Sequence, residues 1–355
     1  MNRDFYLSLA HGGVRMPIGT DLVLHEERDP ERARRDGPTL GRVIERAALR
    51  WRTPLAVPLM DLRLEKIDLL SLIGVPQADA ESFHFVSPLD DATLSKLCVP
   101  DEAALCPEST ARGEALSYIS SSTDLLAVGM TIGPFSLATR LMQDPVTASG
   151  LFGAGMGGDE AVEVRLLEQC LRVAEAAVLR SLRSQVEQDA KAVMVCEPAA
   201  SSAFISPRQV KAGSDIFERL VMEPNLRLKA FLDKAGVDLI FHNCGELTPQ
   251  MVEAFAHRLR PVILSLGSSR RLWEDAELVP KDVVLYGNLP SKSFYSDAVM
   301  PVEEVERRIE ELVRKMRQCG HPHIAGTECD VLFVPGAEEP IRQKVDAILT
   351  AGVTT

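Results

Sequence analysis

Residues 237–244 of the chain read VDLIFHNC, a continuous apolar run that ends abruptly in polar residues. Such a run is typical of a parallel β-strand that is buried on both faces. Similar short runs recur along the chain, separated by longer segments of helical pattern. The eight strand candidates occupy residues 15–22, 54–62, 125–133, 192–197, 237–244, 262–267, 283–288 and 323–329. Strand–helix units repeated in this way predict an α/β fold, a (β/α)8 TIM barrel, with a doubly wound open sheet as the alternative.

The segments between the strand candidates carry helix signals. Ser206-Pro207 and Thr248-Pro249 each place a capping hydroxyl before a proline at the first helical position. Residues 302–319 carry apolar side chains on one face and are followed by Gly320, which predicts an amphipathic helix with a glycine stop.

The N-terminal third of the chain is less regular. Residues 88–112 contain three prolines and no clear periodicity, so we expect a loop or an insertion there. We therefore predict one barrel domain over residues 1–355, in which residues 1–120 include an N-terminal extension and loop insertions.

The composition is that of a soluble globular protein. The chain has 355 residues, of which 46% are hydrophobic and 25% charged, and its net charge is −12. This acidic balance disfavours a nucleic-acid partner, because such proteins carry a basic surface. Seven cysteines, an odd number, argue against a disulfide scaffold and fit a reducing compartment. No stretch has the length of a signal peptide core or a membrane span, so we expect a cytoplasmic protein without a membrane partner. The sequence leaves the oligomeric state open.

Polar residues stand at the C-terminal ends of the predicted strands, where parallel barrels carry their chemistry. They are Asp21, Asp61, Glu197, His242, Cys244, Asn288, Cys329 and Asp330. Side chains two positions apart on a strand point to the same face, so His242 and Cys244 face the barrel mouth and Asn243 points away. Imidazole and thiolate at that spacing can bind Zn²⁺, and Cys329 adds a third ligand at the same rim. A Cys₂His set with one open position is the arrangement of a catalytic zinc.

Other interpretations of these residues remain open on the sequence alone. His242 can equally be a hydrogen-bonded core histidine, and the two cysteines can be small buried apolar side chains. A second cluster, Cys319, His321 and His323, offers more ligands in a shorter stretch. However, Cys319 ends a predicted helix and His323 begins a predicted strand, which places that cluster at the opposite end of the barrel.

Several of these segments, together with the eight-strand plan, resemble the uroporphyrinogen decarboxylase superfamily over essentially the whole chain. Residues 241–249 (FHNCGELTP), Gly287-Asn288 and residues 326–330 (GTECD) are similar to its zinc- and corrinoid-dependent methyltransferase branch. Residues 197–199 (EPA) and 205–207 (ISP) resemble the acid–proline pair after the fourth strand and the helix start that follows it.

This resemblance implies a zinc-dependent methyltransferase whose zinc is bound by His242, Cys244 and Cys329. Such an enzyme moves a methyl group between a small methylated substrate and the cobalt of a corrinoid (cobalamin), which a separate corrinoid-binding protein carries. Residues 16–26 and 53–66 resemble the O-demethylase component, which takes the methyl group from a substrate such as an aryl methyl ether. A methylcobalamin:coenzyme M methyltransferase, with a thiol as acceptor, is the alternative.

The resemblance also implies supporting roles at the rim. Glu197 is expected to be a catalytic group, either as a fourth zinc ligand or as a polar group over the substrate, and its neighbour Cys196 then turns away. Asp61 is the second catalytic candidate. Asn288 and Asp330 are expected to contact the substrate, the corrinoid or the zinc ligands.

Two further readings are less favoured. The decarboxylase itself carries an arginine-rich motif, RQAGR, that holds propionate groups, whereas residues 16–21 here read MPIGTD and only Arg15 is near. Asp61 matches the decarboxylase's central aspartate, but a net charge of −12 disfavours a substrate with eight carboxylates unless the pocket is locally basic. A non-catalytic ligand-binding barrel is the remaining alternative.

Overall fold

Eight parallel strands form the centre of the computed structural model, which describes residues 3–98 and 104–352. The strands are β1 (Arg15–Met16), β2 (Leu55–Ala56), β3 (Leu126–Ile132), β4 (Ala192–Cys196), β5 (Asp238–Asn243), β6 (Ile263–Leu266), β7 (Val284–Leu289) and β8 (His323–Thr327). They pair in the order β1-β8-β7-β6-β5-β4-β3-β2. Strands β1 and β2 stand at the two ends of this order. The Thr20 hydroxyl, shortly after β1, donates a hydrogen bond of 2.7 Å to the carbonyl of Val57, directly after β2. The prediction of a (β/α)8 barrel is confirmed.

Helices surround the sheet. They are α1 (Arg3–His11), α2 (Thr20–Leu24), α3 (Pro30–Ala33), α4 (Gly37–Arg50), α5 (Leu64–Ser71), α6 (Asp91–Cys98), α7 (Pro107–Ser122), α8 (Pro134–Leu141), α9 (Pro145–Gly153), α10 (Val162–Glu187), α11 (Pro207–Lys211), α12 (Glu223–Ala235), α13 (Pro249–Ala254), α14 (Leu272–Asp275), α15 (Val302–Cys319) and α16 (Glu338–Thr350). Single 3₁₀ turns occur at Gln77–Asp79 and Ser291–Ser293, and π turns at Glu218–Met222 and Phe255–Leu259.

The predicted helix signals are confirmed. The Ser206 hydroxyl accepts from the Gln209 amide at the start of α11, and the Thr248 hydroxyl accepts from the Met251 amide at the start of α13. Helix α15 has the predicted bounds and ends at Gly320, whose φ of 59° is the left-handed conformation that glycine adopts readily.

The first two strands are shorter than predicted. Each of them spans two residues, and Thr20–Leu24, which the prediction placed partly in the first strand, is helical. Pro17 and Pro58 follow the two strands closely, and a proline cannot donate to a sheet ladder, so pairing stops there.

Residues 88–112 were expected to form a loop or an insertion, and the structure shows that much of the described part is helical, with residues 88–90 and 104–106 outside the helices. Helix α6 and the first part of helix α7 occupy this segment, while residues 99–103 lie outside the described residues. The buried side of α7 is made largely of small and polar residues, including Arg112, so the helix has no hydrophobic periodicity. The Arg112 guanidinium donates to the Glu65 carboxylate at 3.0 Å and to the Met130 carbonyl at 2.9 Å, which offsets the cost of burying its charge.

One end of the barrel is closed. Helix α1 covers the N-terminal ends of the strands, and its Tyr6 hydroxyl donates to the Asp238 carboxylate at 3.1 Å. Above it, apolar side chains from alternate strand positions fill the interior, and the Tyr286 hydroxyl donates to the Met16 carbonyl at 2.6 Å. Catalytic and binding residues are therefore expected at the other end, the mouth, where the C-terminal ends of the strands lie. Within the described ranges, no helix combines the length and the apolar character needed to cross a bilayer.

Candidate metal centre

Strand β5 carries the first ligand candidate into the barrel. Ile240 packs in the interior cluster and Phe241 packs outside against the helices, so His242 follows Ile240 on the inward face. His242 is 1% exposed. Asn243 points away, as predicted, and its amide donates to the Glu197 and Ala200 carbonyls at 2.6 and 3.0 Å. These bonds fix the end of β5 against the end of β4.

His242, Cys244 and Cys329 converge at the mouth. One ligand atom from each, a ring nitrogen and two Sγ atoms, lies within 4.8 Å of the others. Cys244 follows β5 directly and Cys329 follows β8, so the fold brings together residues that are far apart in sequence. Both cysteines are partly exposed while the histidine is buried, which leaves the cluster open towards the mouth. In the part of the chain that the structure describes, no other set of His, Cys, Asp and Glu side chains converges like this.

The hydrogen bonds of His242 bear on whether a metal fits. Its Nδ1 lies 2.8 Å from the Ser265 hydroxyl, which sits opposite it on β6. Its Nε2 is buried and has no hydrogen-bond partner among the residues that the structure describes. A core histidine of ordinary type would have both nitrogens satisfied. An imidazole held at one nitrogen, with the other aimed at two sulfurs, has the donor set of a Cys₂His zinc site.

The two thiols influence each other's pKa in opposite directions. The hydrogen bond from the Cys329 thiol lowers the pKa of Cys244, with further help from His242 and the charge of Lys292. The same hydrogen bond, followed by burial, raises the pKa of Cys329. Burial lowers the pKa of Lys292, but the charges of the two cysteines outweigh this, so its pKa lies above the usual range. These interactions favour the thiolate form of Cys244, and Lys292 is a residue that the sequence did not reveal.

Glu197 lies on the outer side of the sheet. Its Oε1 accepts from the Ser136 amide at 2.6 Å, and its Oε2 accepts from the Phe135 amide at 3.3 Å and the Asn225 side chain at 3.0 Å. The carboxylate thus binds the start of α8, where amide donors favour negative charge, although burial raises its pKa. The structure does not bring it to the ligand group.

Cys196 occupies the inward position that was expected for Glu197. Its register partner on β5 is His242, and it packs in the barrel interior with no exposed surface. Burial, and then the charge of Cys244, raise the pKa of Cys196 well above its ordinary value, so it is a neutral thiol near the ligand group. The expected orientation of this residue pair is therefore corrected: the strand places Met194 and Cys196 inside, and Glu197 outside.

Asp61 is held by two arginines that sequence reasoning missed. Arg63 donates to both of its carboxylate oxygens at 2.8 and 2.7 Å, and Arg34 lies 3.9 Å away. Burial acts to raise the pKa of Asp61, but the hydrogen bonds and charge of Arg63 outweigh it and hold the pKa below its usual range. Arg34 also donates to Asp21 at 3.0 Å. We call Asp21, Arg34, Asp61 and Arg63 the carboxylate–arginine wall of the mouth.

Asp330 follows the ligand candidate Cys329 directly in the chain, and Asn288 lies on β7, which pairs with β8. The Asn288 amide donates to the Gly267 and Arg270 carbonyls at 2.7 and 2.9 Å, which ties β7 to the loop after β6. One oxygen of Asp330 accepts from the Met60 amide at 3.3 Å, while the other is buried without a partner. Burial, and then the charge of Asp21, raise the pKa of Asp330 well above its usual range.

The second histidine and cysteine cluster lies at the closed end of the barrel. His321 and His323 contact the Val283 and Gly287 carbonyls at 3.0 and 3.3 Å through their Nε2 atoms. The Cys319 thiol donates to the carbonyl of Met316, one turn earlier in its own helix. These three side chains are engaged with the backbone and do not form a common ligand set.

Comparisons with known proteins add independent findings. A family model described as Uroporphyrinogen decarboxylase (URO-D) matches residues 82–348. No curated protein matches the chain. Among solved structures, a methyltransferase from Methanosarcina mazei is similar over 95% of this chain and 91% of that chain, with a TM-score of 0.62 and 16% sequence identity. At 16% identity, this similarity shows that the two proteins share a fold and no more.

Proposed function

The chain belongs to the uroporphyrinogen decarboxylase family, and from this premise we propose that it is a zinc-dependent methyltransferase. The methyl group passes between a small methylated substrate, such as an aryl methyl ether, and the cobalt of a corrinoid carried by a partner protein. The observation that carries the proposal is the convergence of His242, Cys244 and Cys329 around a buried nitrogen with no other partner. The similarity in fold to a methyltransferase supports it.

The donor set fits zinc. Cys244 and Cys329 would bind it as thiolates, and His242 would bind it through Nε2. When bound, the zinc would supply a Lewis acid that stabilises the oxygen or sulfur anion from which a methyl group leaves or to which it is delivered. Three protein ligands leave one position for that group.

The protein side chains prepare this chemistry. The Ser265 hydroxyl lies 2.8 Å from Nδ1 of His242, where it would accept a hydrogen bond from an Nδ1–H group and so favour the tautomer with a free lone pair on Nε2. The ammonium of Lys292 balances the charge of the two sulfurs and favours an anionic substrate atom beside them. The carboxylate–arginine wall is held by its own ion pairs, so it lines the mouth with fixed polar groups that can orient a substrate.

Porphyrinogen decarboxylation is less well supported. Arg15, the basic residue nearest to the position of the decarboxylase motif, donates to the Ile348 carbonyl at 2.7 Å and lines a cavity with Gly12 and His321 at the closed end. Arg34 and Arg63 do reach the mouth, but both are engaged with carboxylates of the chain. The two arginines that reach the mouth beside Asp21 and Asp61 are therefore already neutralised by carboxylates of the chain.

The experiment has a metal arm and an activity arm. We expect the purified chain to contain about one zinc per chain, and His242→Ala and Cys329→Ser to lose both zinc and methyl transfer. Cys319→Ser is the matched control, because Cys319 is also partly exposed but lies at the closed end, and it should keep both. A wild-type chain that neither contains nor takes up zinc would contradict the proposal.

The activity arm decides the direction of transfer. The protein is mixed with a corrinoid protein in the cob(I) state and a panel of methyl ethers, methylamines and methanol, and methyl-cob(III) absorbance is followed. We expect an aryl methyl ether to give the signal. Methylation of a thiol such as coenzyme M by methylcobalamin, with no signal from the panel, would instead support the thiol methyltransferase.

A further inference from the structure

A cavity of about 250 Å³ lies on the flank of the mouth, apart from the metal ligands. Its polar lining comes from Arg63, Lys66, Glu81, His84 and Arg140. Arg63 and Lys66 belong to the segment that follows β2, and Arg140 lies in the last turn of α8. Three permanent cations therefore face one space with a single carboxylate, in a chain whose net charge is −12.

Lys66 is the most unusual member of this lining. It is 4% exposed, and its ammonium donates to the Glu81 backbone carbonyl at 3.0 Å. Among the described residues, no carboxylate lies within ion-pair distance of it. An ammonium that is buried without a counter-charge is expensive, because its interaction with water is lost and not replaced.

The other strongly buried cations of the chain are compensated. Arg112 is paired with Glu65 at 3.0 Å, and Lys344, which is fully buried, is paired with Asp297 at 2.6 Å. Lys66 departs from this pattern, so its surroundings are built for a counter-ion that the chain itself does not provide.

Arg140 adds a second uncompensated charge. Its guanidinium donates to the Leu62 carbonyl at 3.0 Å, and it too has no carboxylate partner in the described ranges. Burial, and then the nearby charge of Arg140, lower the pKa of Lys66, whereas the charge of Glu81 raises it. Arg63, by contrast, is already paired with Asp61, and Glu81 is an exposed carboxylate 3.8 Å from Arg63. The unmatched positive charge is thus centred on Lys66 and Arg140.

We propose that this cavity binds a small-molecule oxyanion, a phosphate or a carboxylate group, between Lys66 and Arg140. The ammonium supplies a compact charge with N–H donors to spare, and the guanidinium supplies a planar set of donors that suits either group. Such a group would restore the counter-charge that Lys66 lacks. The site requires neither the zinc nor the corrinoid, so it stands independently of the proposed function.

The test is a calorimetric titration of the full-length protein, as purified, with inorganic phosphate and, separately, with benzoate. Both run at low ionic strength against a sodium chloride blank, because chloride reports general screening. We expect saturable binding of one of the two probes, and the tighter probe identifies the oxyanion. Lys66→Met and Arg140→Gln should each weaken that binding at least tenfold.

Lys191→Met is the control, since it removes the same charge from an exposed lysine directly before β4, at the closed end of the barrel. It should bind the probe like the wild type. Arg140 is exposed, so Arg140→Gln tests the proposal even if Lys66→Met does not fold. The absence of saturable binding by both probes, or binding that survives in both variants, would overturn the proposal. All three variants keep the metal ligands, so an oxyanion bound at the zinc would be unaffected by them.

Discussion

Replacing Ser265 by alanine tests how His242, one of the three proposed zinc ligands, is positioned. The Ser265 hydroxyl is fully buried and lies 2.8 Å from Nδ1 of His242, with which it is in register on the neighbouring strand. It is the hydrogen-bond partner that holds the imidazole so that Nε2 points at Cys244 and Cys329. Ser265→Ala removes no metal ligand and creates only a small void.

The magnitude follows from two effects. Loss of a hydrogen-bond partner behind a zinc-binding histidine typically costs 10- to 100-fold in metal affinity, or about 1.4–2.8 kcal/mol. In the metal-free protein the Nδ1 proton is left buried and unpaired, which should lower the free energy of unfolding by about 1–3 kcal/mol. We therefore expect Ser265→Ala to bind one zinc with a dissociation constant raised 10- to 100-fold.

The assay is a competition between the metal-free protein and a zinc chelator of known affinity, together with urea unfolding of the metal-free chain. Ser149→Ala is the matched control, because Ser149 is also fully buried but its hydroxyl has no hydrogen-bond partner. It should change neither the zinc affinity nor the stability by much. If Ser265→Ala bound zinc as tightly as the wild type, Ser265 would not position the ligand, and the assignment of Nε2 as the metal-binding atom would lose its support.

Two other predictions concern residues away from the ligands. Glu197→Gln should lower the free energy of unfolding by about 1–3 kcal/mol, because the new amide cannot accept from all the donors at the start of α8, yet the zinc content should be unchanged. Zinc loss with unchanged stability would show instead that Glu197 acts as a ligand. Burial lowers the pKa of His323 from 6.5 to about 4, so below pH 6.5 the unfolded chain takes up a proton that the folded chain refuses. The contribution of His323 to the free energy of unfolding is therefore fully present above pH 6.5. It should fall by about 1–3 kcal/mol as the pH drops to 4. Urea unfolding should show a smaller loss over this pH range for His323→Gln than for the wild type.

The barrel was predictable because burial on both faces of a parallel sheet leaves a direct mark on the sequence. Residues 239–241 are a continuous apolar stretch that ends in polar residues at the rim, and the other central runs are similar. The same reasoning failed for residues 107–112 at the start of α7. That helix buries small side chains and an arginine paired with a carboxylate, and neither produces a hydrophobic period.

Strand alternation predicted that His242 and Cys244 face the same side, and the structure brings both to the mouth, although β5 ends at Asn243 and Cys244 follows it directly. Strand alternation failed for Cys196 and Glu197. Which of two neighbouring residues points inward depends on which alternate set of residues along β4 faces the barrel interior. A neutral thiol is readily buried in the apolar interior beside Met194, whereas Glu197 finds amide donors at the start of α8 on the outer face. Nothing local in the sequence announces those donors.

The sequence by itself determined the fold class, the family resemblance and the ligand types at the mouth, since these depend on periodicity and on motifs within a single segment. The strand count also predicted Cys329 at the same rim, but only the tertiary structure decided how close the three ligand atoms come, that Ser265 contacts the imidazole, and that Lys66 is buried without a carboxylate partner among the described residues. The physical reason is that each of these contacts joins strands or loops from different parts of the chain. Their distances follow from how the barrel closes, and no local pattern in the chain encodes that closure.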